Sequence, residues 1–214
     1  MTIFICGDST AASYAPERAP LTGWGQALEA FLPGVRIANH AMAGRSTKSY
    51  LAEGRLIAVE KELQPGDLVL IQFTHNDCSE LVWRHTDPDT SFMNNLSIFV
   101  ETARDHGAIP VLLTPIPRRE WQDGRLLDMH GGYPPAVRRL AAEKNVPLAD
   151  VYQRGFEAVQ AMGEARSRSL YMHVEKGEYP FYPDGQRDNT HTRREGAELF
   201  ARITAECLKE LRLI

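Results

Sequence analysis

The sequence predicts an α/β protein whose five-stranded parallel sheet lies between two layers of helices, as a three-layer α/β/α sandwich. Five short apolar runs, rich in β-branched residues, each end at a turn or a polar cluster, which is typical of strands buried on both faces. These runs cover residues 3–6, 35–38, 68–73, 109–113 and 146–151. Because they alternate with helical patterns, we expect parallel strands joined by right-handed crossovers.

Six helices are expected where apolar residues recur at helical spacing. They cover residues 23–32, 48–63, 91–106, 134–143, 156–162 and 193–211. Thr192 and Glu195 have the spacing of a capping box at the start of the last helix, in which two side chains satisfy terminal amides. We therefore expect residues 188–191 to form a short, well-anchored loop directly before that helix.

Length and composition favour a single domain over residues 1–214. A chain of 214 residues with 43% apolar and 24% charged residues can build one sizeable core, and it contains no internal repeat or linker. Its net charge of −4 and pI near 6.0 give no electrostatic reason to expect nucleic acid as a partner. No apolar segment approaches the roughly 20 residues that span a bilayer. We expect a soluble protein, monomeric or homodimeric, with no nucleic-acid or membrane partner.

Cysteine usage and the amino terminus indicate the compartment. Three cysteines without a Cys-x-x-Cys pair fit a reducing environment, and we expect Cys6 and Cys207 to be buried in a strand and a helix. Met1 enters the first strand with neither a basic segment nor a cleavage-like site. The chain is therefore predicted to be cytoplasmic, or secreted if a signal peptide has been removed from it.

Two motifs at opposite ends of the chain point to acyl-transfer chemistry. Gly-Asp-Ser-Thr at 7–10 directly follows the first strand, so Ser9 is expected at the carboxyl edge of the sheet, where amides and helix dipoles favour negative charge. A serine becomes a strong nucleophile only when an imidazole takes its proton and a carboxylate orients that imidazole. His191 and Asp188, three residues apart, are the candidates. Taken alone, Gly-Asp-Ser more often forms an ordinary turn.

Two further segments follow strand ends and offer hydrogen-bond donors. Gly44 lies beyond the second strand and brings a backbone amide with no side chain in the way, and Asn76 lies beyond the third. Together with the Ser9 amide they make three donors for a tetrahedral oxyanion. A rival nucleophile and base, Cys78 with His75, would leave the motifs at the two ends of the chain unexplained.

No metal or cofactor is expected, because a serine mechanism requires neither. The histidines outside these motifs share no metal-ligand spacing such as His-x-x-x-His. They are His40, His85, His106, His130 and His173.

In this order along almost the whole chain, Ser9, Gly44, Asn76 and His191 resemble the four residues for which the SGNH (GDSL-type) hydrolases are named. Further blocks resemble the rhamnogalacturonan acetylesterase branch of that family, at residues 23–26, 39–46, 65–67, 75–77, 114–119 and 188–192. The resemblance implies the flavodoxin-like SGNH fold in one domain. It also implies a Ser-His-Asp esterase, with Asp188 as the acid, that removes acetyl groups from pectic, rhamnogalacturonan-type oligosaccharides without a cofactor.

Thr74 departs from the family pattern, which usually carries glycine two residues before Asn76. A threonine side chain there is expected to narrow the pocket or to shift the Asn76 amide. We interpret the change as a modification of specificity or rate, because the four name-giving residues are intact.

Six residues are candidates for substrate binding. Arg118 and Arg119 suit uronate carboxylates, since guanidinium groups bind carboxylates in bidentate fashion, although paired surface arginines are often only solvated. Trp83 and Trp121 lie among charged residues and are candidate platforms for a sugar ring, while most aromatic residues belong to cores. His75 and Thr74 are expected at the pocket rim.

Other functions stay open at this point. Another acetylated glycan such as xylan, or a lipid or thioester carrying a short acyl chain, suits the same chemistry. A non-catalytic carbohydrate-binding protein on the same scaffold is the alternative from another class, and it would not hydrolyse a small activated acetate ester. The sequence has no evident apolar lid, which favours short acyl groups.

Overall fold

Nine strands build the sheets of the computed structural model, which describes residues 1–214. Five of them form the central parallel sheet and the other four form two antiparallel hairpins. In chain order they are β1 (Thr2–Gly7), β2 (Arg36–Asn39), β3 (Leu68–Gln72), β4 (Ile109–Leu113), β5 (Trp121–Gln122), β6 (Arg125–Leu126), β7 (Leu148–Ala149), β8 (Tyr171–Val174) and β9 (Gln186–Thr192).

The central sheet has the strand order β2-β1-β3-β4-β7, and all of its neighbouring strands are parallel. The chain leaves β1 for β2 on one side and later places β3 on the other side, so the order reverses between β1 and β3. Crevices that bind ligands form outside the carboxyl ends of strands at such a switch point. Gly7 at the end of β1 pairs with Gln72 at the end of β3, so the segments that follow both strands start side by side.

Seven helices cover the two faces of the sheet. They are α1 (Trp24–Ala27), α2 (Thr47–Ala52), α3 (Arg55–Glu60), α4 (Ser91–Asp105), α5 (Tyr133–Glu143), α6 (Val151–Ser167) and α7 (Arg194–Glu210). Side chains of β1 alternate between the faces: Ile3 and Ile5 pack in one cluster with α1, α6 and α7, whereas Phe4 and Cys6 pack in another with α2 to α5. This is the three-layer α/β/α sandwich that the sequence predicts.

Several predicted boundaries are wrong, each for a local reason. The helix expected over 48–63 is two helices, because Gly54 adopts a φ of 66° between α2 and α3. The first helix has only four α-helical residues and continues as a 3₁₀ turn over Leu28–Phe31. The last strand of the sheet has two residues, and α6 begins right after Asp150, whose side chain accepts a hydrogen bond from the Gln153 amide.

The predicted capping box before α7 does not form. The residue that caps α7 is Arg193, whose side chain makes no capping bond, and the helix begins at Arg194. Thr192 instead ends β9, and its Oγ1 donates to the Thr22 carbonyl at 2.6 Å. Residues 188–191 therefore belong to an antiparallel strand rather than to a loop.

Cys6 and Cys207 are buried, as the sequence predicts, and Cys78 is partly exposed. None of the helices combines the length and the apolar character that a bilayer crossing demands.

Candidate active site

Three side chains from the two ends of the chain form one hydrogen-bonded series. Ser9 lies in the turn just after β1, and its Oγ is 2.9 Å from His191 Nε2. On the other side of the ring, His191 Nδ1 is 2.7 Å from Asp188 Oδ2. A carboxylate oxygen can only accept, so Nδ1 carries the proton and the Nε2 lone pair faces the serine hydroxyl. This tautomer is the one that can remove a proton from Ser9.

The position of Asp188 and His191 depends on what holds β9. It pairs with β8, and the Thr22 amide donates to the Thr192 carbonyl at 3.0 Å. The Arg119 amide donates to the Asn189 carbonyl at 2.8 Å, which ties the same strand to the segment after β4. The strand is thus fixed against the amino-terminal segment, and its side chains meet the turn that carries Ser9.

The charges of Asp188 and His191 are coupled. Burial alone would raise the pKa of Asp188, but its hydrogen bond to His191, the imidazolium charge and two backbone amides lower it to about 2. Burial alone would lower the pKa of His191, but the hydrogen bond to Asp188 and the carboxylate charge outweigh burial and hold this pKa above the ordinary value for histidine. Asp188 is therefore ionised at neutral pH and stabilises the protonated ring.

The cleft that contains Ser9 also contains residues with unpaired hydrogen-bond donors. The backbone amides of Ser9 and Gly44 donate to no group of the protein, and Gly44 has a φ of 80°, which favours glycine. Asn76 Nδ2 donates one hydrogen to the Arg45 carbonyl at 3.1 Å and has a second hydrogen to give. All three donors belong to residues of one cleft. They suit an oxygen that acquires negative charge.

The cleft has a volume of about 580 Å³ and is called here the Ser9 cleft. It contains every residue that the sequence predicts for the catalytic series and the oxyanion donors, together with His75 and Arg118. Its lining consists of Ser9, Tyr14, Arg18, Leu21, Ala43, Gly44, His75, Asn76, Arg84, Arg118, Met172, Tyr182, Gln186, Asp188, Thr190 and His191.

Four predicted substrate-binding residues do not line the Ser9 cleft. Arg119 is buried, and its guanidinium donates to Ser167 Oγ and to the Glu164 carbonyl, so it supports the fold. Trp121, on β5, packs against the core cluster that contains α1, α6 and α7. Trp83 is exposed outside the lining, beside Arg84. Thr74 is fully buried.

His75 lines the cleft but has both ring nitrogens engaged. Nδ1 is 3.1 Å from Asp8 Oδ2, and Nε2 is 3.2 Å from the Ile116 carbonyl. The ring therefore links the Ser9 turn to the segment after β4, which is a structural role. Cys78 Sγ contacts the His75 carbonyl and not the ring, so the rival pair of Cys78 with His75 is not assembled.

Three further residues line the cleft although no sequence pattern predicts them there. Tyr14 donates its hydroxyl to the Ser9 carbonyl at 2.6 Å and so steadies the turn. Arg18 ends a three-residue 3₁₀ turn and Arg84 lies in an irregular turn, and neither segment is long enough for periodicity to mark a side chain that faces a site. Their arrival at the cleft is a property of the tertiary fold.

Thr74 occupies a backbone conformation that favours glycine, with a φ of 149°. Its Oγ1 is buried and has no hydrogen-bond partner. The side chain lies outside the cleft lining, so the expected narrowing of the pocket is not what the structure contains. The threonine that departs from the family pattern therefore strains the backbone two residues before Asn76, because a β-branched residue rarely adopts positive φ.

Thr74→Gly is expected to stabilise the protein by about 1 kcal/mol, which raises the Tm by roughly 2–4 °C. Relief of strain and loss of an unpartnered hydroxyl outweigh the lost methyl group and the larger chain entropy of unfolded glycine. Thermal unfolding measures the change, and Thr74→Ser, which keeps the side-chain oxygen, should not share the gain. The ratio of acetyl to butyryl ester hydrolysis should not move; a shift toward butyryl esters would restore the interpretation of Thr74 as a pocket residue.

The chain is similar to known proteins over almost its whole length. The model of the GDSL-like lipase/acylhydrolase family matches residues 5–199. Rhamnogalacturonan acetylesterase RhgT of Bacillus subtilis is 40% identical over 99% of this chain and 90% of its own length. Probable rhamnogalacturonan acetylesterase YesY of the same organism is 34% identical over 99% and 94%.

A solved structure shares the fold over almost the whole chain. The crystal structure of the Bacillus subtilis protein YxiM superposes with a TM-score of 0.84 at 25% identity, covering 99% of this chain and 56% of that one. The family match and the two acetylesterase relatives extend from the Ser9 turn into α7. The chain therefore belongs to the GDSL-like lipase/acylhydrolase family.

Proposed function

We propose that this protein is a serine esterase that removes acetyl groups from rhamnogalacturonan-type oligosaccharides. The observation that carries the proposal is the series Ser9–His191–Asp188, with distances of 2.9 and 2.7 Å, in a cleft that also holds two unpaired backbone amides. Two relatives that match nearly the full chain bear the name rhamnogalacturonan acetylesterase, one of them as probable. The names of these relatives support the substrate, and the geometry of the site supports the reaction.

The proposed reaction proceeds in two halves. His191 Nε2 removes the Ser9 proton as Oγ attacks the acetyl carbonyl, and the oxyanion accepts hydrogen bonds from the Ser9 and Gly44 amides and from Asn76 Nδ2. His191 then gives the proton to the departing sugar oxygen, which leaves an acetyl group on Ser9. A water molecule, deprotonated by His191, releases acetate and restores the serine. Asp188 stabilises the imidazolium in both halves.

Charge in the Ser9 cleft supports an acidic substrate. The protein has a net charge of −4, yet the cleft contains three arginines, whereas its one carboxylate, Asp188, is paired with His191. The Arg84 guanidinium is directed to Asn76, so Arg18 and Arg118 remain for the carboxylate of a uronate. The aliphatic lining consists of Leu21, Ala43 and Met172, which favours an acetyl group over a long acyl chain.

Acetate release from three substrates tests the assignment. Acetylated rhamnogalacturonan oligosaccharides should give a higher kcat/KM than acetylated xylo-oligosaccharides, and 4-nitrophenyl acetate should be hydrolysed as a small neutral reference. Faster turnover of the xylan fragments would move the assignment to another acetylated glycan. Rates that rise with acyl-chain length would indicate a lipase or thioesterase, and no hydrolysis of any ester would leave a carbohydrate-binding protein.

Arg118→Gln is expected to lower kcat/KM for acidic oligosaccharides by about 10- to 150-fold, which corresponds to one lost charge-assisted hydrogen bond of roughly 1.5–3 kcal/mol. Hydrolysis of 4-nitrophenyl acetate should change little. The Arg118 guanidinium also donates to the His75 carbonyl at 3.1 Å, so equal losses on both substrates would indicate a structural role instead. Arg119→Gln is the matched variant, and burial predicts that it lowers the Tm and does not discriminate between the substrates.

The pH profile of kcat/KM reports the protonation of His191. The base must be neutral to act, and its raised pKa keeps it protonated to higher pH than an ordinary histidine, so activity is lost as the pH falls through this raised pKa. Asp188→Asn removes the charge that raises this pKa, and the acid limb should then move to lower pH as kcat falls. Burial raises the pKa of Asp77 to about 7, so this carboxyl group titrates in the same pH range. If the acid limb of the profile does not move in Asp188→Asn, the group that titrates there is Asp77 and not His191.

A further inference from the structure

The Asn76 carboxamide is held from both ends. Its Nδ2 donates to the Arg45 carbonyl at 3.1 Å, and its Oδ1 accepts from Arg84 Nη1 at 3.0 Å. Asn76 is 8% exposed, and Arg84 is half-buried in the lining of the Ser9 cleft. One Nδ2 hydrogen is used by Arg45, so one remains for a ligand.

These two partners determine which way the amide faces. A guanidinium only donates and a carbonyl oxygen only accepts, so Arg84 can pair only with Oδ1 and Arg45 only with Nδ2. A flipped amide would set two donors against each other and two acceptors against each other. The Arg45 contact alone leaves Oδ1 unrestrained, and the Arg84 contact makes the flipped arrangement repulsive at both ends.

The charge of Arg84 also acts on the free Nδ2 hydrogen. A cation at Oδ1 draws electron density through the planar amide and makes the Nδ2 hydrogens more positive. Hydrogen bonds in series polarise one another, and the effect is larger where water is largely excluded. The donor that faces developing negative charge is thereby strengthened.

The segment that carries Arg84 is anchored on both sides of it. Lys48 Nζ donates to the Val82 carbonyl at 2.7 Å, and Thr86 Oγ1 donates to Asp77 Oδ1 at 3.0 Å. The Arg84 guanidinium carbon lies 5.3 Å from the centroid of the Trp83 ring. The position of the Arg84 side chain beside Asn76 is therefore fixed by these contacts and does not depend on a freely moving loop.

We propose that Arg84 is a positioning residue for the reaction, which orients and polarises the Asn76 amide so that its second hydrogen stabilises the oxyanion. The inference rests on the proposed esterase function and adds a residue that acts through Asn76. Arg84 thus acts on the transition state through Asn76, whereas Arg18 and Arg118 are the residues proposed to bind the carboxylate of the substrate.

The test uses 4-nitrophenyl acetate, a neutral ester in which no uronate contact contributes. Arg84→Met should lower kcat by about 10- to 50-fold, part of the roughly 10²–10³-fold assigned to an oxyanion donor, with KM changed less than about threefold. Arg84→Lys keeps a cationic donor and should recover part of the loss. Arg202→Gln, which removes one cation from an ion pair with Glu206 on α7, is the matched control and should keep wild-type kcat.

A double-mutant cycle separates positioning from a merely structural role. In the Asn76→Ala background, Arg84→Met should lower kcat no further, because the group through which it acts is gone. The same 10- to 50-fold loss in that background, or a loss confined to KM, would overturn the inference, as would wild-type kcat in Arg84→Met. If Arg84→Met does not fold, a kcat for Arg84→Lys equal to that of Asn76→Ala would overturn it as well. Absent hydrolysis by the wild-type protein would overturn the proposed function first and this inference with it.

Discussion

Ser9→Ala is expected to lower kcat for acetyl ester hydrolysis by about 10⁴- to 10⁶-fold while the protein stays folded. The hydroxyl is the attacking group, and its Oγ contacts His191 Nε2 at 2.9 Å, so no neighbouring side chain can replace it. The residual rate comes from the oxyanion donors, which still stabilise the attack of a water molecule on the ester. Steady-state rates with 4-nitrophenyl acetate measure the loss.

The control for this variant is Ser13→Ala, an exposed serine close by in the chain, which should keep wild-type activity. Thermal unfolding should give Ser9→Ala a Tm close to that of the wild type. Mass spectrometry after brief reaction with an activated acetate ester should detect an acetyl group on the wild-type protein and none on Ser9→Ala. Turnover by pure Ser9→Ala at a wild-type rate would remove the esterase assignment altogether.

Asn76→Ala is expected to lower kcat by roughly 10²- to 10³-fold with a smaller effect on KM, because an oxyanion donor acts mainly on charge that develops in the transition state. The substitution also leaves the Arg45 carbonyl and the Arg84 guanidinium without their partner. The two backbone amides remain, so the loss should be smaller than that of Ser9→Ala.

Asn94→Ala, at an exposed position of α4, serves as the comparison for an asparagine outside the Ser9 cleft. A change in KM alone for Asn76→Ala would make the residue a substrate-binding group. A large fall in Tm would mean that Asn76 mainly joins the two segments on which the oxyanion donors lie.

The sheet and the residues around Ser9 were accessible to sequence reasoning because each depends on local pattern. Apolar runs buried on both faces predict the five parallel strands, and the carboxyl ends of β1 and β3 place Ser9 and Asn76 at neighbouring positions. The meeting of His191 with Ser9 is a different case. The two residues are 182 positions apart, and only the family resemblance predicts their contact, because no spacing rule reaches so far.

The segments that sequence reasoning missed have polar or irregular composition. The strand β9 reads Gln-Arg-Asp-Asn-Thr-His-Thr, and only its last residue is buried, so no apolar alternation announces it. Its extended form comes from pairing with β8. Arg84 is missed for a related reason, because its partner is an amide oxygen that lies next to it only after the chain has folded.

The anchoring of β9 also separates catalytic competence from global stability. The central sheet does not require β9, which is held by the β8 pairing, the Thr22 contacts and the Arg119 amide. Partial opening of such a hairpin costs less free energy than unfolding the whole domain. Native-state hydrogen exchange should then find the amides of β9 opening before those of β1 and β3. Heat inactivation of the enzyme would follow this sub-global opening and precede melting of the core.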